Sequence, residues 1–374
     1  MLGGDAQRDP QAPAAQGNWP SLLGPAEELL AWGGFALEPA RRQSSSSGGL
    51  LTVALTHLLE AGRVDAAVVV ARAERASHPL FEARLARSRE ELEDAAGSKY
   101  YPVELSRPLR EVLRSGERVA VVGLPCHCRA LRAAMRAVPP LREQVAWLFG
   151  LACGHEVTTA FTDVLLARAG VSVAPGDGLF YRRKAEGRTA FDYRFVAERD
   201  GRQIGRPVAW HGDIYHKLWL GRLFVPRVCD FCADGFAECA DATFMDAWLP
   251  DYTGDWRGTS LAVTRTPQAA HLLRELTERG LVKTWPVAPD DVVRSQVAVV
   301  RHKRDLVPAR AHAAAARGQA VPQWGGATPR AGTRAELAEI ARYDRNRRVA
   351  RTVWRMPLPA SLRIRLLAWL TRPR

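Results

Sequence analysis

The sequence predicts an α/β protein: a mainly parallel sheet with flanking helices, a β-rich insert and a helical, basic C-terminal tail. Three observations carry this. The apolar runs Arg118–Leu124 and Gln144–Ala152 are each followed by a helical pattern, the alternation that parallel sheets produce. Residues 175–225 switch to short alternating runs bounded by turns. Residues 342–374 hold ten Arg against one Asp, a charge of +9 out of the chain's +13. The body therefore carries only about +4, which argues against a nucleic-acid-binding domain. With 48 Arg and five Lys, arginine content is a weak signal and each lysine stands out, Lys99 among them.

The elements follow in order. Residues 1–42 read as a leader with a short helix at Pro25–Trp32. No apolar core follows a basic region there and no run of eighteen apolar residues occurs anywhere, so the expected compartment is the cytoplasm. Ser45, Ser46, Ser47, Gly48 and Gly49 form a small-residue loop opening a helix over Leu50–Ala61. Free N–H groups and the positive helix end make that loop either a seat for phosphate or a plain capped turn. A buried strand is expected at Asp65–Ala71, a charged helix over Leu80–Ala95, then a turn presenting Lys99 and Tyr100 and a helix at Arg107–Ser115. The run Arg118–Leu124 leads into Cys126-His127-Cys128 and a helix from Arg129. A Pro-rich turn precedes Gln144–Ala152, which ends at Cys153-Gly154-His155, and a helix follows from Val157.

Three β runs fill the insert and a helical stretch, Trp210–Leu223, closes it. Cys229 and Cys232 come next as C-x-x-C, then Cys239, two strands at Ala240–Trp248 and Gly258–Thr266, and a helix at Pro267–Gly280. Residues 306–333 are read as loose, and the tail as helical, broken at Pro357 and Pro359. Leu362, Leu366, Trp369 and Leu370 share one tail face, which offers either a peripheral contact with the inner membrane face or packing on the tail's own domain. The working divisions are 1–42, 43–174, 175–225, 226–305 and 306–374.

All six cysteines lie in the middle third of the chain. A C-x-x-C turn aims two thiolates at one point, and Cys126 and Cys153 each sit past the carboxyl end of a strand, the edge where open parallel sheets bind ligands. If those strands are neighbours, Cys126, Cys153, Cys229 and Cys232 converge. Four thiolates suit a [4Fe–4S] cluster or a tetrahedral zinc. Cys128 and Cys239 are read as buried thiols. His127 and His155, beside the ligands, are candidate catalytic proton carriers.

Five segments in order then point to a family: Ser45–Leu55, Gly97–Tyr100, Val121–Cys126, Gly150–Gly154 and Pro226–Asp241. Together they resemble the β subunit of coenzyme F420-reducing hydrogenases and dehydrogenases, iron–sulfur flavoproteins related to 7-hydroxymethyl chlorophyll reductase. The resemblance, over about residues 40–305, implies an oxidoreductase with FAD and one [4Fe–4S] cluster, acting on coenzyme F420 or another reducible organic substrate. It makes Cys126, Cys153, Cys229 and Cys232 the cluster ligands, and the Ser45–Gly49 loop, Lys99 and Tyr100 parts of the flavin site. Asp246 and Trp248 resemble a Gly-Asp-x-Trp element in which Met245 replaces glycine, and His127 stands where the family often has Gln. Residues 1–42 hold no cysteine, so electrons are expected from a partner protein, a reduced deazaflavin or a nicotinamide. Two other readings compete: a non-catalytic binding or scaffold protein stapled by zinc, and a relative redirected to cell-surface polysaccharide modification.

Overall fold

The computed structural model describes residues 23–24, 29–322 and 328–371. An eight-stranded sheet runs through it: β1 (Leu30–Ala36), β2 (Ala66–Arg72), β3 (Phe81–Ala86), β4 (Val119–Gly123), β5 (Val145–Leu151), β9 (Ala242–Asp246), β10 (Ser260–Thr264) and β11 (Val282–Pro286), in the order β11-β1-β10-β9-β5-β4-β2-β3. β2, β4, β5 and β9 pair in parallel at its centre, and antiparallel strands close both sides. The insert is a separate antiparallel sheet of β6 (Gly178–Arg183), β7 (Arg194–Arg199) and β8 (Arg202–Ala209).

Strand alternation sorts the central side chains into two layers. Val69, Ala120, Trp147 and Phe149 meet Leu55 and Leu58 of helix Leu50–Glu60 and Leu272, Leu273 and Leu276 of helix Pro267–Glu278. Val68, Val121 and Leu148 face Val112, Leu131, Met135 and Leu141 on the opposite side. Each fully enclosed leucine contributes about 2 kcal/mol of burial. A third cluster joins helix Thr159–Ala169 and the insert to the tail helices Arg334–Trp354 and Ala360–Leu370.

Several expectations change. Helix Pro25–Trp32 is not formed: Leu30–Ala36 is a strand, and residues 25–28 lie outside the described ones. Its glycines decide this, since a Cβ at Gly33 would strike the Trp285 ring and one at Gly34 the Lys283 carbonyl. The charged helix shrinks to Arg89–Asp94, because Phe81–Ala86 alternates buried and half-buried residues and pairs with β2. The helix after β4 starts at Pro125, which suits a first turn, so Cys126 and Cys128 lie on it; the Pro-rich turn is a short helix, Pro139–Gln144. Residues 306–333 are not uniformly loose. A π-turn, Arg301–Leu306, feeds helix Val307–Ala315, whose alanines favour helix and which packs on the C-x-x-C segment. The last helix packs through Ile364 and Leu367, while Leu362, Trp369 and Leu370 stay exposed. Among the described residues no helix is long and apolar enough to cross a membrane.

One ion-pair group ties the two helices of the first layer. Glu275 accepts from Arg63 Nη1 at 2.6 Å and lies 2.9 Å from His57 Nε2. Chiefly through the Arg63 hydrogen bond, its pKa falls from 4.5 to about 2. A depressed carboxylate stabilises the fold above its unfolded value, and that contribution disappears as pH falls through the folded one. Glu275→Gln should cost about 1 kcal/mol at pH 7, allowing for screening. In thermal unfolding followed against pH, the gap from wild type should close as pH drops from 4.5 towards 2.

Candidate functional site

β4 and β5 are parallel neighbours, with Gly123 opposite Gly150, so Cys126 and Cys153 do share the carboxyl edge. β5 is short of a side chain at Gly150 because Ala237, from the loop after the C-x-x-C, occupies that place. A 3₁₀ turn, Arg227–Phe231, carries Cys229, and Cys232 follows it. Cys153 N–H donates to Gly235 O at 2.9 Å, binding the strand end to this loop, and Glu156 N–H donates to Cys229 Sγ at 3.4 Å. Arg265, buried, holds the loop from behind through Leu23 O, Phe236 O and Thr243 Oγ1.

Cys126, Cys153, Cys229 and Cys232 lie close enough to act on one another electrostatically. Cys126 is exposed at the rim; partial desolvation, then the neighbouring Cys232 and Cys229, push its thiol up to about 11. Cys153 is raised by burial, with Cys229 and Cys126 adding to it, and Cys229 by burial and Cys232. Such mutually repelling thiols gain from a cation that accepts them as thiolates. The donor set therefore fits an iron–sulfur cluster. Among the described residues no group of three or more His, Cys, Asp or Glu side chains is placed to hold a metal ion. Cys128 is fully buried under the sheet, its Sγ near Gly123 O and Phe149 O, and Cys239 sits beside it at the edge of the same core cluster.

The two histidines separate. His127 accepts the Leu124 N–H at 3.4 Å through Nδ1 and so caps its own helix. His155 is buried, and burial together with Arg222 drives its pKa well below 6.5. It is neutral at pH 7, stands 3.2 Å from Arg222 Nη1, and its Nε2 is buried without a partner.

β9 runs parallel to β5, so its end, Asp246 to Trp248, opens on the same edge. A shallow cleft lies there between Ser46, Arg182, Lys184, Asp246, Trp248 and Thr259. Arg182 donates to Asp246 Oδ2 at 2.7 Å and lies over the Tyr193 and Trp248 rings. Its Nε is buried with no partner. Lys184 donates to Ser47 O at 2.8 Å and to the Arg42 and Arg257 carbonyls; burial, then Arg182, lowers it to about 7. The unpartnered Arg182 N–H, its guanidinium charge and the Trp248 and Trp256 indoles suit a planar ring that accepts hydrogen bonds or gains negative charge, as a flavin does on reduction.

The loop and turn singled out in the sequence meet at this cleft, where Ser98 N–H donates to Ser46 Oγ at 2.6 Å. Their members do different work. Ser45 Oγ donates to Arg41 O, Ser47 Oγ to Thr259 O, and Gly48 N–H to Ser260 Oγ. Gly49 takes a left-handed φ of 90° and opens the helix inside the fold. Lys99 Nζ donates to the carbonyls of Ala95, Ala96 and Gly97, capping a helix end, and burial lowers it to about 7. Tyr100 and Trp219 form a tilted pair with centroids 4.3 Å apart, and Trp219 lies 4.2 Å from His155, which follows Cys153 by two residues. Sequence reading missed Arg182, Lys184 and Trp219; only the scarcity of lysine could have flagged Lys184.

Fold and site define an α/β protein with a thiol quartet and a cationic, aromatic cleft on one sheet edge. The chain belongs to the coenzyme F420 hydrogenase/dehydrogenase beta subunit family: the N-terminal family model matches residues 31–110 and the C-terminal one 116–290. It is 24% identical over 253 residues to the beta subunit of coenzyme F420 hydrogenase from Methanothermobacter thermautotrophicus, covering 65% of this chain and 79% of that protein. With a subunit of the F(420)H(2) dehydrogenase from Methanosarcina mazei it shares 31% identity over 119 residues, 32% of this chain and 33% of that protein. A polypeptide of the F420-reducing [NiFe] hydrogenase complex from Methanosarcina barkeri has a similar fold, with TM-score 0.55 and 18% identity over 77% of this chain and 92% of that one.

Proposed function

We propose that this chain is an iron–sulfur flavoprotein oxidoreductase. Cys126, Cys153, Cys229 and Cys232 hold a [4Fe–4S] cluster, the Ser46–Trp248 cleft holds the flavin ring of FAD, and coenzyme F420 or another reducible organic molecule is the substrate. The observation that carries this reading is the shared edge: thiols and cleft both open on the carboxyl ends of β4, β5 and β9, with Trp219 in contact with both Tyr100 and His155. When bound, the two groups supply single-electron and paired-electron transfer.

This chain's residues supply the setting. Arg182, fixed by Asp246 and two rings, offers its free N–H to an acceptor on the bound ring. Lys184 closes the same end of the cleft, its amine held by the Arg42, Ser47 and Arg257 carbonyls. His155, kept neutral with Nδ1 accepting from Arg222, presents its Nε2–H as a donor at the site. The relatives' names tie those proteins to coenzyme F420, which makes it the first substrate to test. A partner protein or the reduced deazaflavin itself is the electron donor.

Anaerobic protein mixed with reduced coenzyme F420 and a viologen acceptor should restore the deazaflavin absorbance catalytically. Turnover with NAD(P)H or ferredoxin but not with F420 would move the substrate elsewhere while keeping the oxidoreductase reading.

A further inference from the structure

The chain has five lysines, and one of them lies where no family segment accounts for it. Lys303 sits on the π-turn Arg301–Leu306, beyond the end of the matched region at residue 290. It is 2% exposed. Its aliphatic stem crosses Gly235, where a Cβ would lie 3.4 Å from Lys303 Cγ. That glycine's carbonyl accepts from the Cys153 amide, so the stem runs along the wall of the thiol site.

A buried ammonium is costly unless something negative faces it. The flanking cations are neutralised outward, Arg301 by Glu339 and Arg304 by Glu238. Arg222, which also faces Lys303, is turned towards Asp230. Among the described residues Lys303 has no carboxylate partner. The thiols that face it are those of Cys153, Cys232 and Cys229. Cys126 lies within its field as well. A π-turn widens a helix by one residue per turn and is often kept at functional sites; here it carries the buried Lys303 between Arg301 and Arg304, each paired to a carboxylate.

We propose that Lys303 is the fixed counter-charge of the thiol quartet and raises the reduction potential of the iron–sulfur group bound there. The inference rests on the cluster reading above. Reduction adds one negative charge to the group, so a nearby cation stabilises the reduced form more than the oxidised one. Lys303 is a positioning charge and transfers nothing itself.

The test is an EPR-monitored redox titration, with iron and sulfide counted per chain, on the full-length protein purified anaerobically as wild type, Lys303→Met and Lys303→Arg. The methionine variant should need a more negative potential for half reduction. The expected change is a tenfold or greater loss of reduced over oxidised cluster at a fixed potential, about 59 mV for one electron. The arginine variant should stay near wild type. Iron lost from the methionine variant and kept in the arginine variant supports the same role. Unchanged potential and iron content in Lys303→Met overturns the proposal, as does an equal fall in both variants, which would mean shape matters and charge does not. A wild-type protein without iron and sulfide overturns the cluster reading, and this inference with it.

Discussion

Cys153→Ser should empty the site of iron while Cys128→Ala leaves it full. The two residues differ by place, not by type. Cys153 stands at the end of β5 among Cys126 and Cys229, with its backbone fixed by Gly235. A serine hydroxyl there stays protonated and is a poor ligand for iron, so the content should fall from roughly four iron per chain to near zero. Cys128 lies in the core, where its Sγ is 3.6 Å from Gly123 O. Its loss should cost about 1 kcal/mol of stability and no iron. Iron and sulfide assays with a thermal melt separate the two effects. Iron loss from Cys128→Ala and retention in Cys153→Ser would exchange their roles.

Asp246→Ala should be the most destabilising change at the cleft, at about 3–5 kcal/mol, because it strands the Arg182 charge in a buried place. Arg182→Met replaces that charge with an apolar chain between Tyr193 and Trp248 and should cost less, about 1–2 kcal/mol. The double variant should therefore recover part of the stability lost in Asp246→Ala. It should not recover flavin, because the N–H that Arg182 offers to the ring is gone. Denaturant unfolding and flavin fluorescence after heat release read the two quantities separately. Full flavin content in Arg182→Met would remove this residue from the flavin site.

How much of this was legible beforehand follows from what sequence patterns encode. β2, β4 and β5 are buried on both faces, so their apolar runs stand out, and the cysteines at two strand ends could be placed on one edge on the condition that β4 and β5 are neighbours, which their pairing meets. β1 and β3 were not legible. Gly33 and Gly34 serve a close approach by β11, and Glu82 and Arg84 resemble a charged helix until the pairing with β2 is known. Arg182 could not be picked from 48 arginines, since only its pairing with Asp246 distinguishes it. The lysine signal was informative about burial but not about partners. Lys99 and Lys184 each donate to three carbonyls, but Lys184 does so at the cleft, and Lys303 lies by the thiols. The alanine-rich stretch that carries the helix after Lys303 reads as loose because nothing local shows what it packs against.

The composition of the wild-type protein decides whether a cluster and a flavin share this sheet edge. Protein purified without oxygen would be assayed for iron, acid-labile sulfide, zinc and flavin alongside its absorbance spectrum. The expected result is roughly four iron and four sulfide per chain with bound FAD and a yellow-brown solution. One zinc per chain with neither sulfide nor flavin would contradict it, and would leave the same four thiols as the staple of a binding protein.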